Sequence, residues 1–108
     1  MKGFGGGGMQ ALMRQANQMQ ARMKKVQEEL ALREFEGSSG GGAVKVTVLG
    51  SYEVKAVEIQ QDVFEAGDKE MLQDLIVSAV TEAVRLAKTT SEQEMAKITG
   101  GVSLPGMF

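Results

Sequence analysis

From Met9 onward the apolar positions fall at Met9, Leu12, Ala16, Met19, Met23, Val26 and Leu30, with intervals of 3, 4, 3, 4, 3 and 4. That is the spacing of one stripe along a helix, the a and d positions of a heptad. Between Met9 and Arg33 there is no proline or glycine and one β-branched residue, among many Gln, Lys, Arg, Ala and Met, so nothing opposes a helix there. At about 1.5 Å per residue this helix runs nearly 40 Å, against a radius of gyration of about 13 Å for a compact chain of this length. It is expected to stick out of its own domain. The stripe itself suits self-association, with methionines making an adaptable surface that is tighter near Val26 and Leu30 than near Met9.

The period then changes. Phe35 opens an extended stretch, with a short strand expected around Glu34 to Gly37, and Gly37-Ser38-Ser39-Gly40-Gly41-Gly42 reads as a hairpin-type connection that needs glycine's positive φ. Val44, Val46 and Val48 alternate with polar neighbours, the mark of a strand with one buried face. Gly50-Ser51 makes a tight turn, and Tyr52 to Ile59 returns as the next strand. Tyr52, Val54 and Ala56 share one parity and Val57 and Ile59 the other, which predicts a bulge near Ala56 or Val57.

Asp68 is placed to cap a helix, with Glu70 in its first turn. Leu72, Leu75, Ile76, Ala79, Val80, Ala83, Val84 and Ala87 give it a broad apolar stripe suited to packing on a sheet. At Thr89-Thr90-Ser91 the helix either restarts, using Ser91 to Glu94 as a capping box, or continues with a bend. Gly100-Gly101 ends it. The expected fold is α+β: a long N-terminal helix, a two- or three-stranded antiparallel sheet and a long C-terminal helix. Residues 1–8 are expected to be a Gly-rich leader, 9–101 one domain and 102–108 a tail.

Composition narrows the chemistry. In 108 residues there is no cysteine and no histidine, which removes disulfides, thiolate or imidazole metal sites, cysteine or serine–histidine nucleophiles and a histidine switch. No run approaches the roughly 18 apolar residues of a membrane span, and the start shows no secretory apolar segment, so a cytosolic protein without a membrane partner is expected. Gly3, Gly5 and Gly8 fit G-x-G-x-x-G, but no strand precedes them. Glu58, Asp62, Glu65, Asp68 and Glu70 are dense but do not follow a calcium-loop pattern, and read as a solvated loop and helix start. A small hydrolase built on these carboxylates is the least supported reading. No catalytic residue, metal site, cofactor or small-molecule substrate is expected.

Charge is segregated. The whole chain carries −2, yet residues 1–33 hold six bases and two acids, net +4, and the remainder six bases and twelve acids, net −6. Arg14, Gln18, Arg22 and Lys25 step along one helix face outside the apolar stripe, with Lys24 beside them, the row of long cationic side chains that phosphate binding needs. The same row also fits an ordinary solvated face. Arg85, Lys88 and Lys97 sit among acids and are weaker candidates. The aromatics are scattered, which argues against a single-strand stacking platform.

Taken together, the chain resembles the YbaB/EbfC family of bacterial nucleoid-associated DNA-binding proteins over essentially its whole length. The resemblance lies in the order and spacing of several pieces. They are the Met/Gln/Lys-rich first helix from Met9-Gln10 through Met19-Gln20 to Gln27-Glu28-Glu29-Leu30, Gly40-Gly41-Gly42 leading into Val44 to Val48, and the turn Gly50 to Glu53. Lys69-Glu70-Met71-Leu72-Gln73-Asp74-Leu75 and the ending Thr99-Gly100-Gly101 with Leu104-Pro105-Gly106-Met107-Phe108 complete it. The resemblance implies a two-fold, tweezer-like homodimer joined through its sheets, with projecting helices that hold duplex DNA, alter its conformation and influence nucleoid organisation and gene expression. It implies DNA contacts on the first and last helices, which here bear Arg14, Arg22, Lys24 and Lys25 and Arg85, Lys88 and Lys97; Gln18 stands in the same row and is expected among the contacts, and since no base-reading constellation stands out, little base readout is expected. It also implies a dimer interface, expected here at Met19, Met23, Val26 and Leu30 and at Val44, Val46 and Val48. The alternative is a protein-interaction module using the methionine-rich helix.

Overall fold

The computed structural model describes residues 8–100; the expected tail and nearly all of the expected leader lie outside the described residues. The elements follow as α1 (Met9–Leu32), β1 (Glu34–Ser39), β2 (Val44–Leu49), β3 (Val54–Ile59), α2 (Gln61–Glu65) and α3 (Lys69–Thr99). The strands form one antiparallel sheet in the order β1-β2-β3. The molecule is a rod of 77 × 21 × 17 Å, as the overlong first helix requires.

The core is the layer between the sheet and α3. Val44, Val46 and Val48 of β2 are fully buried, together with Phe35 of β1 and Ala79, Ala83 and Ala87 of α3. The small alanines let the helix lie flush on the strand. At Gly37 a Cβ would overlap the Ala79 carbonyl oxygen and the Ala83 amide nitrogen, which is why a glycine stands inside β1. β1 therefore runs on to Ser39, two residues past the expected end, and the Ser39 hydroxyl donates to the Leu75 carbonyl at 2.6 Å. The chain turns through Gly40, Gly41 and Gly42, all three at positive φ, so the expected glycine connection is shorter and sits after Ser39.

The expected bulge is present. Thr47 pairs with Ala56 but Val48 pairs with Val54, so Lys55 is the extra residue. The bulge brings Val54 onto the same face as Val57 and Ile59, since residues directly opposite in an antiparallel pair share a face and these three oppose Val48, Val46 and Val44. Lys55 meets Glu34 across β2 at 2.7 Å. The turn before β3 closes with hydrogen bonds between the Leu49 amide and the Glu53 carbonyl and between the Tyr52 amide and the Leu49 carbonyl, with Tyr52 left-handed at φ 71°.

Asp68 caps α3 as expected, its carboxylate accepting from the Met71 amide at 3.0 Å. The helix continues unbroken through Thr89-Thr90-Ser91 to Thr99, where Gly100 adopts a left-handed C-cap. Continuation wins over restart because this stretch is packed: Met95 and Thr99 are buried beyond the sheet, where α3 runs beside α1. The short helix α2 was not expected; its five residues are too few to show a period.

Candidate nucleic-acid interface

The C-terminal end of α1 is fastened to the body. Leu30 is buried in the core and Val26 packs against it. The Gly50 amide donates to the Arg33 carbonyl at 3.0 Å and the Ser51 amide to the Ala31 carbonyl at 3.3 Å. Val26, Glu29, Leu30 and Arg33 share a shallow cleft with Glu94, which puts this part of α1 against the last turns of α3. Burial then falls away along the stripe. Met19, Met23 and Val26 are half-buried, whereas Met9, Leu12 and Ala16 are exposed.

This locates the residues expected at a dimer interface. Val44, Val46 and Val48 have no surface left, because α3 already covers them within one chain, and Leu30 is 8% exposed for the same reason. Within one chain these valines therefore present no side-chain surface to a second copy. The alternation of β2 marked a buried face, and that face is filled from inside. The sheet's exposed apolar side chains on the same face are Val54, Val57 and Ile59, because α3 lies over β1 and β2 and leaves β3 open.

Arg14, Gln18, Arg22, Lys24 and Lys25 are all exposed on α1. At 3.6 residues per turn Arg14, Gln18, Arg22 and Lys25 fall within an arc of about 80°, turned by about 120° from the apolar stripe. None of these four cations is engaged in an ion pair among the described residues, where the two ion pairs are Lys55–Glu34 and Lys97–Glu94. The row thus faces solvent with its charge free, on a helix that leads away from the acidic body.

The cations of α3 are placed differently. Lys97 is paired with Glu94 at 3.1 Å. Arg85 and Lys88 border an open cleft of about 400 Å³ with Val80, Thr81 and Val84. The Lys88 Nζ lies 5.9 Å from the centre of the Tyr52 ring. Tyr52 escaped sequence reasoning, since nothing local marks a contact between residues so far apart in the chain. The structure does not gather the α1 and α3 cations into one cluster; it puts four on the projecting helix and two beside the sheet. Among the described residues no group of acidic side chains is arranged to hold a metal, and no helix is long and apolar enough to cross a membrane.

The fold is an α-β-α rod with an exposed cationic helix, and comparison with known proteins shows its family. The family model of the YbaB/EbfC DNA-binding family matches residues 5–102. A nucleoid-associated protein of Clostridium novyi is 48% identical over 107 residues, covering 98% of this chain and 94% of that protein. A crystal structure of an uncharacterised Helicobacter pylori protein superimposes with a TM-score of 0.68 at 22% identity, over 82% of this chain and 94% of the other, and shares the fold. The chain belongs to the YbaB/EbfC DNA-binding family.

Proposed function

We propose that this protein is a nucleoid-associated, non-enzymatic DNA-binding protein of the bacterial cytoplasm that grips duplex DNA as a homodimer and changes its conformation. The observation that carries the reading is the row of Arg14, Arg22 and Lys25, with Lys24 beside it, exposed on a projecting helix and engaged in no ion pair among the described residues. Such side chains contact phosphates, which position a protein without reading sequence, so discrimination between DNA sequences is weak. Arg85 and Lys88 extend the contact on the body, and Lys97 must first leave Glu94 to take part.

The homodimer reading rests on β3. It is a sheet edge whose Val54, Val57 and Ile59 are 51%, 44% and 37% exposed. Edge strands of this kind invite pairing with another chain. A second copy laid against β3 would cover these side chains and present two cationic helices to one duplex.

The test is anisotropy of a fluorescent duplex of about 30 base pairs across a salt series. The logarithm of affinity should fall with the logarithm of salt by about 0.9 per phosphate neutralised. Changing Arg22, Lys24 and Lys25 together to glutamate should abolish binding with no change in solution mass. Unchanged binding would remove the assigned face. Salt-insensitive capture of other proteins, with no DNA binding at low salt, would favour the interaction-module alternative.

A further inference from the structure

We propose that Tyr52 is a positioning residue for Lys88, and that Lys88 and Arg85 together form a phosphate site at the open cleft of α3. The inference rests on the DNA-binding reading above, to which it adds a side chain and a place. Among the described residues Tyr52 is the one non-glycine residue at positive φ, 71°. A bulky side chain is an outlier in that region, where glycine or asparagine fits at less cost. The turn itself asks for no ring. Its closing bonds, from the Tyr52 amide to the Leu49 carbonyl and from the Leu49 amide to the Glu53 carbonyl, are all backbone. Nor does the core ask for one, because Tyr52 is 48% exposed. What the ring meets is a cation: the Lys88 Nζ lies over it, 5.9 Å from its centre.

A lysine on a helix surface is a charge on a flexible four-carbon stem, and a ring beneath its ammonium fixes where that charge sits. One side of the ammonium meets the π face. Its three N–H donors are not all spent there, so a phosphate oxygen is bound from the other side. Arg85 stands three residues earlier, the spacing at which helix side chains are neighbours, with Cβ atoms about 5–6 Å apart. Both cations border the cleft of about 400 Å³ that Val80, Thr81 and Val84 complete. The valines make an apolar wall, which keeps water from one side of the charges and strengthens their pull on an anion. Thr81 adds no donor, because its hydroxyl already donates to the Val77 carbonyl at 2.8 Å. Glu82 comes one turn before Arg85 and Glu92 one turn after Lys88, yet neither takes a cation of the site. The ion pairs among the described residues are Lys55–Glu34 and Lys97–Glu94. The two cations thus face the cleft with their charge unneutralised, and Tyr52 acts on a ligand there only through Lys88.

Duplex affinity at fixed salt, read by anisotropy, tests the positioning. Tyr52→Leu keeps the backbone strain and removes the ring, and should weaken binding about threefold, the size of an exposed cation–π contact. With Lys88→Gln already in place the same substitution should cost nothing more, and Tyr52→Phe, which keeps the ring, should rescue the affinity. Tyr52→Gly relieves the strain, so it should not lower stability in urea and should still bind as weakly as Tyr52→Leu. A merely structural residue would move stability and binding together. No loss from Tyr52→Leu, or losses from Tyr52→Leu and Lys88→Gln that add, would overturn the proposal.

A second readout separates the site from the DNA reading. Tyr52 is the only tyrosine in the chain, so a ring-fluorinated tyrosine gives the protein a single fluorine resonance. Duplex or millimolar pyrophosphate should shift that resonance in the wild type and leave it unmoved in Lys88→Gln. If no duplex binds even at low salt, the DNA reading fails, while a pyrophosphate shift that Lys88→Gln removes keeps the phosphate site. No shift with either ligand overturns the site itself.

Discussion

Gly50→Ala tests whether α1 is held to the sheet by a backbone contact that admits no side chain. The added methyl would overlap the Leu30 carbonyl oxygen and come within 2.6 Å of its carbonyl carbon and 3.2 Å of the Ala31 Cα. These are backbone atoms, so no rotamer change relieves the clash and the end of α1 must lift by about 1 Å to regain normal contact. Lifting breaks or stretches the bonds from the Gly50 and Ser51 amides to Arg33 and Ala31. Each of the two is worth about 1 kcal/mol, and strain adds about 1 kcal/mol more, so the loss should be about 3 kcal/mol. Gly50 is not left-handed, so alanine carries no conformational penalty to confuse the result. With a urea m-value of about 1.5 kcal/mol/M, the unfolding midpoint should fall by about 2 M at fixed protein concentration. Gly41→Ala is the control: nothing lies within 4 Å of its Cβ, and its φ of +67° should cost about 1 kcal/mol. If Gly50→Ala loses no more than Gly41→Ala, the contact does not anchor the helix.

Three further outcomes follow from the same geometry. Asp68→Ala removes the cap on the Met71 amide and should lower stability by about 1 kcal/mol in thermal or urea unfolding, with Asp68→Asn retaining most of it. Val57→Asp puts a charge on the open face of β3 and should shift sedimentation mass to that of one chain without disturbing the α3-covered core, whereas an unchanged mass would clear β3 of any role in association. Arg22→Gln should reduce the salt slope of DNA binding by about one unit, while Lys97→Gln, already neutralised by Glu94, should change it less. Equal reductions would mean that the Glu94 pair does not compete with phosphate.

Much of this architecture was legible before any coordinate. The 3-4 stripe from Met9 to Leu30 marks α1, the alternation of Val44, Val46 and Val48 marks β2, and the parity change in the returning strand marks a bulge within a residue or two of Lys55. What escaped reading depends on contacts between distant residues. Gly37 looks like loop because glycine is usually found there, yet it stands in β1 to admit the backbone of α3. Thr89-Thr90-Ser91 looks like a break because local propensity is weak, yet packing of Met95 and Thr99 beside α1 carries the helix through. The cationic row was visible as spacing, but its freedom from ion pairs was not, nor was the pairing of Lys97. Alternation in β2 likewise announces a buried face without saying whether the same chain or a second one fills it; here α3 does.

The unbroken course of α3 has a mechanical consequence. Its 31 residues make a stiff arm about 46 Å long, seated on the sheet for its first half and carrying α1 along its second. Any rotation at the sheet is therefore magnified at the far end, by about 0.4 Å of travel per degree over the roughly 23 Å of α3 that lies beyond the sheet. If two copies are joined at β3, the gap between their cationic helices is governed by the twist of the strands, far from where a duplex would lie. The sheet then acts as the fulcrum that sets the width of the grip.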